Sequence, residues 1–252
     1  YLKGGVFEDD LTVYPDAYSR GVYLGESFRV SSQESQAEDI TWDGNYFWVI
    51  GLNTDSVYKY DASGVYQGVS FSVASEESAP RGIVFDGTYF WVVGFNTDTV
   101  YKYNSSGVYQ GVSFYVGSQM SLPWGIAWDG TYFWVGSSTA VHKYSLAGVY
   151  QNFSFSLASQ DAAPFGIVFD NTYFWVVGAG NGSAYKYDSS GVYQGVSFST
   201  SSEESNPRGI TVVDGTYFWV VGFSSGLVHK YAEVNGISPD TSFGAHNYVR
   251  VK

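Results

Sequence analysis

The chain of 252 residues has no cysteine, six prolines, one methionine and three histidines, and only 14% of its residues are charged. Without cysteine there is no disulfide framework and no thiolate zinc site. No run of 18 apolar residues occurs, so no segment suits a membrane-crossing helix. Twelve basic residues face 24 acids, a net charge of −12, which argues against a phosphate-binding surface and so against nucleic acid. What is present is apolar and aromatic: 44% hydrophobic residues, 19% aromatics and 30 glycines. Such a chain buries enough surface to offset its conformational entropy, which excludes disorder.

The sequence is a repeat. Asp-Gly-Asn/Thr-Tyr-Phe-Trp-Val starts at Asp43, Asp86, Asp129, Asp170 (with Asn171 for Gly) and Asp214, at spacings of 43, 43, 41 and 44. Gly-Val-Tyr starts at Gly21, Gly64, Gly107, Gly148 and Gly191, and Tyr/His-Lys-Tyr ends at Tyr60, Tyr103, Tyr144, Tyr187 and Tyr231. A period of 40–45 residues fits a four-stranded propeller blade. One unit predicts strand a over Gly82–Phe85, b over Tyr89–Val93, c over Val100–Tyr103 and d over Val108–Val116. Each run is β-branched or aromatic and is bounded by Gly, Asp, Asn or Ser. Strand b is apolar on both faces, as a strand sandwiched between blades must be.

The fold expected is all-β, a six-bladed β-propeller of four-stranded antiparallel blades in one domain over 1–252. Repeats lie near 40–79, 80–122, 123–163, 164–206 and 207–246. The last blade would combine 1–39 with 247–252, and this closure between the chain ends would remove an open edge. It rests on reading Tyr1–Phe7 as a weak strand b, Leu11–Tyr14 as c, Gly21–Val30 as d, Gly236–Phe243 as a sixth d, and Asn247–Val251 as the missing a. Five blades with extra end segments is the alternative.

The stretch Pro80-Arg81-Gly82-Ile83-Val84-Phe85-Asp86-Gly87, followed by Val100-Tyr101-Lys102-Tyr103-Asn104, resembles an NHL-type propeller repeat. That family has a Pro-x-Gly-Ile start, an Asp closing strand a, and a hydrophobic-x-Lys-aromatic-Asp/Asn strand c. The resemblance spans nearly the whole chain and implies six blades. It departs at strand b, where Val92-Val93-Gly94 replaces the family's frequent Val-x-Asp. It implies a fold and not an activity, because this fold hosts ligase substrate arms, lyases, lactonases and plain binders.

The recurrent Asp reads as a turn residue and the recurrent Lys (59, 102, 143, 186, 230) as a snorkelling surface stem. Thr41, Val84, Ala127, Val168 and Thr211 should face the central channel, and none can act as acid or base. His142 and His229 replace Tyr in strand c and read as packed substitutes. No nucleophile motif, HExxH, P-loop or EF-hand loop occurs. The chain therefore reads as non-enzymatic.

Variation concentrates in the d-to-a and b-to-c loops, which emerge on one face. The residue before the Gly-Ile start of strand a (Asp39-Ile40 in the first repeat) is, around the ring, Glu38, Arg81, Trp124, Phe165 and Arg208. These five should ring the channel mouth and are the candidate ligand-binding residues. The same loops carry eight acids, Glu34, Glu38, Asp39, Glu76, Glu77, Asp161, Glu203 and Glu204. Against Arg81 and Arg208 these supply half of the net charge and predict a solvated acidic face. No cofactor is expected. Calcium is the metal such carboxylates would suit, although no spacing matches a known loop.

The expected function is an extracellular or surface module, at the cell or virion surface, that binds a glycan or protein or self-assembles into a larger structure. The alternative is an NHL-like lyase or lactone hydrolase with a metal at the channel mouth. A start at Tyr1 rather than Met reads as a processed product or fragment.

Overall fold

The computed structural model describes residues 20–234. All regular elements among them are strands. Strand β1 (Arg20–Arg29) is the first of the described elements. Blade 1 follows as β2 (Ala37–Trp42), β3 (Phe47–Gly51), β4 (Ser56–Tyr60) and β5 (Tyr66–Ser72). Blade 2 is β6 (Pro80–Phe85), β7 (Phe90–Gly94), β8 (Thr99–Tyr103) and β9 (Tyr109–Tyr115). Blade 3 is β10 (Ile126–Trp128), β11 (Tyr132–Gly136), β12 (Ala140–Ser145) and β13 (Tyr150–Ser156). Blade 4 is β14 (Pro164–Phe169), β15 (Phe174–Gly178), β16 (Ser183–Tyr187) and β17 (Tyr193–Ser199). The last three strands are β18 (Pro207–Val213), β19 (Tyr217–Gly222) and β20 (Leu227–Val234). Every sheet is antiparallel and four-stranded.

The described residues form a propeller of five blades, which corrects the expected six. Strand β1 is indeed a strand d, but its partner is β20, in the sheet order β1-β20-β19-β18. Tyr23 opposes Tyr231 and Phe28 opposes Val228, as Tyr66 opposes Tyr60 and Phe71 opposes Val57 within blade 1. The strands expected at 1–7 and 11–14, the strand d expected at 236–243 to complete the repeat 207–246, and the strand a expected at 247–251 lie outside the described residues.

Aromatic packing closes the ring. Each strand-b Trp leans on the strand-b Phe of the next blade: Trp48 on Phe90, Trp91 on Phe133, Trp134 on Phe174 and Trp175 on Phe218, at 4.6–4.8 Å between ring centres. Trp219 meets Phe47 at 5.0 Å and completes the circle. All five strand-b segments are buried from Phe to Gly, and each inter-blade seam is its own apolar cluster.

Two recurring slots are bound more tightly than the sequence suggests. In blade 1 the Asp43 Oδ1 accepts the Asn45 and Tyr46 N–H groups, the expected turn, while Oδ2 accepts the Trp48 indole N–H at 2.6 Å. Asp86, Asp129 and Asp170 repeat this. The recurrent lysines lie across the rings at the start of strand b: Lys59 Nζ is 3.6 Å from the Tyr46 ring centre and 5.2 Å from that of Trp48. Each such cation–π contact contributes about 0.5–1 kcal/mol when exposed.

Candidate functional site

The innermost strand of each blade, β2, β6, β10, β14 and β18, surrounds the central axis. These strands come very close, and glycine allows it. A Cβ at Gly82 would sit 2.6 Å from the Trp124 carbonyl oxygen, and one at Gly166 2.6 Å from that of Arg208. Blade 1 departs from this rule by placing Asp39 in the glycine slot, facing Gly209. The Asp39 carboxylate is buried at the hub. It accepts the Ile40 N–H at 2.8 Å and the Ile83 N–H at 2.9 Å, and so staples β2 to β6. Burial holds its pKa well above the usual carboxylate range, despite those N–H groups.

One residue before this slot, Glu38, Arg81, Trp124, Phe165 and Arg208 come together as one cluster. Its polar arc is Arg208–Glu38–Arg81, on blades 5, 1 and 2. Glu38 pairs closely with Arg81 Nη1, and Arg208 Nη1 stands 4.0 Å from its other oxygen. Facing this arc are Trp124 and Phe165 of blades 3 and 4, edge to face at 4.4 Å. The rings also hold the guanidinium groups. Arg81 lies 4.7 Å from Trp124 and 4.8 Å from Phe95. Arg208 lies 3.9 Å from Phe165 and 4.7 Å from Phe223.

The electrostatics are unusual for an acidic protein. The Glu38 side chain is 1% exposed and those of both arginines 14%. Burial raises the Glu38 pKa to about 7, against the pull of Arg81 and Arg208. Burial and the like charge of Arg81 lower that of Arg208, while Glu38 opposes them. Two guanidinium groups thus share one carboxylate, leaving one cation in excess. Arg208 Nε and Nη1 and Arg81 Nε are buried without a hydrogen-bond partner, each at a cost of about 1–3 kcal/mol.

Beneath the mouth, Ile40, Ile83, Ile126, Ile167 and Ile210 form a buried floor. They open into a cavity of about 120 Å³, also lined by Thr41, Val84, Ala127, Val168 and Thr211. The expected channel positions therefore do line it. It is too small for a ligand of drug size, which needs about 300 Å³.

The loop acids contradict the expected solvated face. Glu34, Glu38, Asp39, Glu77, Asp161 and Glu204 are all buried. Glu77 accepts the Ala79 and Thr97 N–H groups and the Thr97 hydroxyl, which ties the d-to-a loop to the b-to-c loop. Glu34, Asp161 and Glu204 bind their own loops likewise. Blade 3 has Met120 in this position beside a shorter b-to-c loop. These carboxylates are already spent on backbone N–H groups. Among the described residues no three His, Asp or Glu side chains gather where they could hold a metal ion. His142 and His229 sit in strand c against Tyr150 and Tyr23, and burial lowers the pKa of both.

The sequence points to the five mouth residues, places Asp39 only among the solvated loop acids, and gives no sign of Phe95 or Phe223. The signal for Asp39 was present, since it breaks a Gly that is otherwise constant across the blades.

No protein-family model matches the chain, and no curated protein matches it. Solved structures do. The crystal structure of Myxococcus xanthus glutaminyl cyclase superposes with a TM-score of 0.68 at 8% identity, over 87% of this chain and 98% of that one. Selenomethionine-substituted virginiamycin B lyase from Staphylococcus aureus gives 0.53 at 14% identity, over 86% and 88%. At these identities the likeness defines the class: a β-propeller.

Proposed function

We propose that the protein is a non-enzymatic binding module of an extracellular or cell- or virion-surface structure, recognising a glycan or protein through the loop face at the channel mouth. The observation that carries this reading is the cluster itself. Five blades agree at scaffold positions yet place five chosen side chains around one axis, with flat aromatic rings opposite paired arginines. Aromatic and Arg side chains are the residue types that anchor recognition. Self-assembly would use the outer rim, where Val65, Val108, Val149 and Val192, each in the turn just before its blade's outer strand, stand exposed. The test is the double variant Trp124→Ala, Arg208→Ala on a glycan array and in partner capture. Binding should be lost while the circular dichroism spectrum is kept; unchanged binding rejects the mouth.

One observation favours a second reading, as a propeller enzyme. The Glu38 carboxyl is held near neutrality at about 7, where general acid–base groups work best. The structural neighbours are a glutaminyl cyclase and a lyase by name. Among the described residues no set of His, Asp or Glu side chains at the mouth suits the metal expected for such an enzyme, and the Glu38 carboxylate is clasped by arginine. Turnover of a lactone panel that Glu38→Gln abolishes, with binding intact, would replace the first reading by this one.

A further inference from the structure

We infer that the ligand taken at the channel mouth carries a carboxylate on a sugar ring, a uronate-type group that docks on Arg208 with its ring against Trp124 and Phe165. The inference rests on the mouth being a binding site.

Three observations lead to it. The first is charge. In a molecule of net charge −12, two buried guanidinium groups share the one carboxylate of Glu38, and the surplus cation lies where water is largely excluded. An anion is its complement. The second is the division of labour between the arginines. Arg81 pairs closely with Glu38, whereas Arg208 stands 4.0 Å away with Nε and Nη1 unpartnered. Arg208 is therefore the underused fork, and a planar fork matches a carboxylate in two-pronged fashion. The third is the wall. Phe165 and Phe223 hold the Arg208 plane at 3.9 and 4.7 Å, and the Trp124 ring, edge to face with Phe165, lies 5.4 Å from it. The excess charge and the flat apolar surface therefore stand side by side at the mouth, which suits a ring bearing a single anionic substituent.

Calorimetric titration with glucuronate, glucose and acetate separates the parts of this claim. Glucuronate should bind at least about tenfold more tightly than glucose, which lacks the charge, and than acetate, which lacks the ring. Arg208→Gln should cut the preference over glucose to about threefold or less, with an unchanged thermal midpoint as the folding control. Arg208→Lys keeps the charge but loses the fork, and should also lose most of the preference. Equal binding of glucuronate and glucose overturns the inference, as does a preference that survives Arg208→Gln. If sugars bind in a Trp124-dependent way without regard to charge, the mouth remains a binding site and only the carboxylate is wrong. If none of the three probes binds, the uronate inference is rejected, and the array and capture assay above then decides the mouth separately.

Discussion

At the scale of residues, Glu38 is the side chain with the most to report. Its charged neighbours are Arg81, Arg208 and Glu34, and its pKa rises from 4.5 to about 7 because burial outweighs both arginines. A carboxyl whose folded pKa is raised binds its proton more readily in the native state. Its stabilising contribution is complete below about pH 4.5 and is lost as pH rises through about 7. The buried Asp39 acts in the same direction. At about 1.4 kcal/mol per unit, Glu38 alone accounts for a decline on the order of 3 kcal/mol. Wild-type stability should therefore fall relative to Glu38→Gln between pH 4.5 and 7.5 in urea titrations. Parallel profiles would show that Glu38 is not held neutral. Glu38 was legible as a mouth residue from its place in the repeat. Its protonation was not, because burial comes from blades 2 and 5, which are distant in sequence.

At the scale of elements, strand-level patterns were read with little error. Strands predicted at Gly82–Phe85 and Val100–Tyr103 occur as Pro80–Phe85 and Thr99–Tyr103, because alternation and turn chemistry act over a few residues. The loops were read less well. Acids in a Ser-rich loop look solvated, but Glu77 organises two loops through three hydrogen bonds. Glu77→Ala orphans three donors at about 1–3 kcal/mol each. It should destabilise by about 3 kcal/mol or more in urea unfolding, whereas Met120→Leu in the equivalent slot of blade 3 should cost less than about 1.5 kcal/mol. Equal effects would show that the staple carries no weight.

At the scale of the whole molecule, blade number is set by the pairing of residues near 20–29 with residues near 227–234. The absence of cysteine makes this directly testable. Ser27 and His229 are cross-strand partners, within the Cα spacing a disulfide tolerates. The variant Ser27→Cys, His229→Cys should therefore cross-link on mild oxidation, with a mobility shift reversed by reductant. No cross-link would be consistent with the six-blade arrangement, in which β1 and β20 each pair elsewhere. The sequence alone determined the class of fold, the blade unit and the five residues at the mouth, since each is written in a local pattern repeated about every 43 residues. Only the tertiary structure decided that five blades close the ring, that the loop acids are buried, and that Glu38 lies between two arginines facing Trp124 and Phe165. Those facts depend on contacts between blades, and a repeat looks the same from within one blade however many neighbours complete the circle.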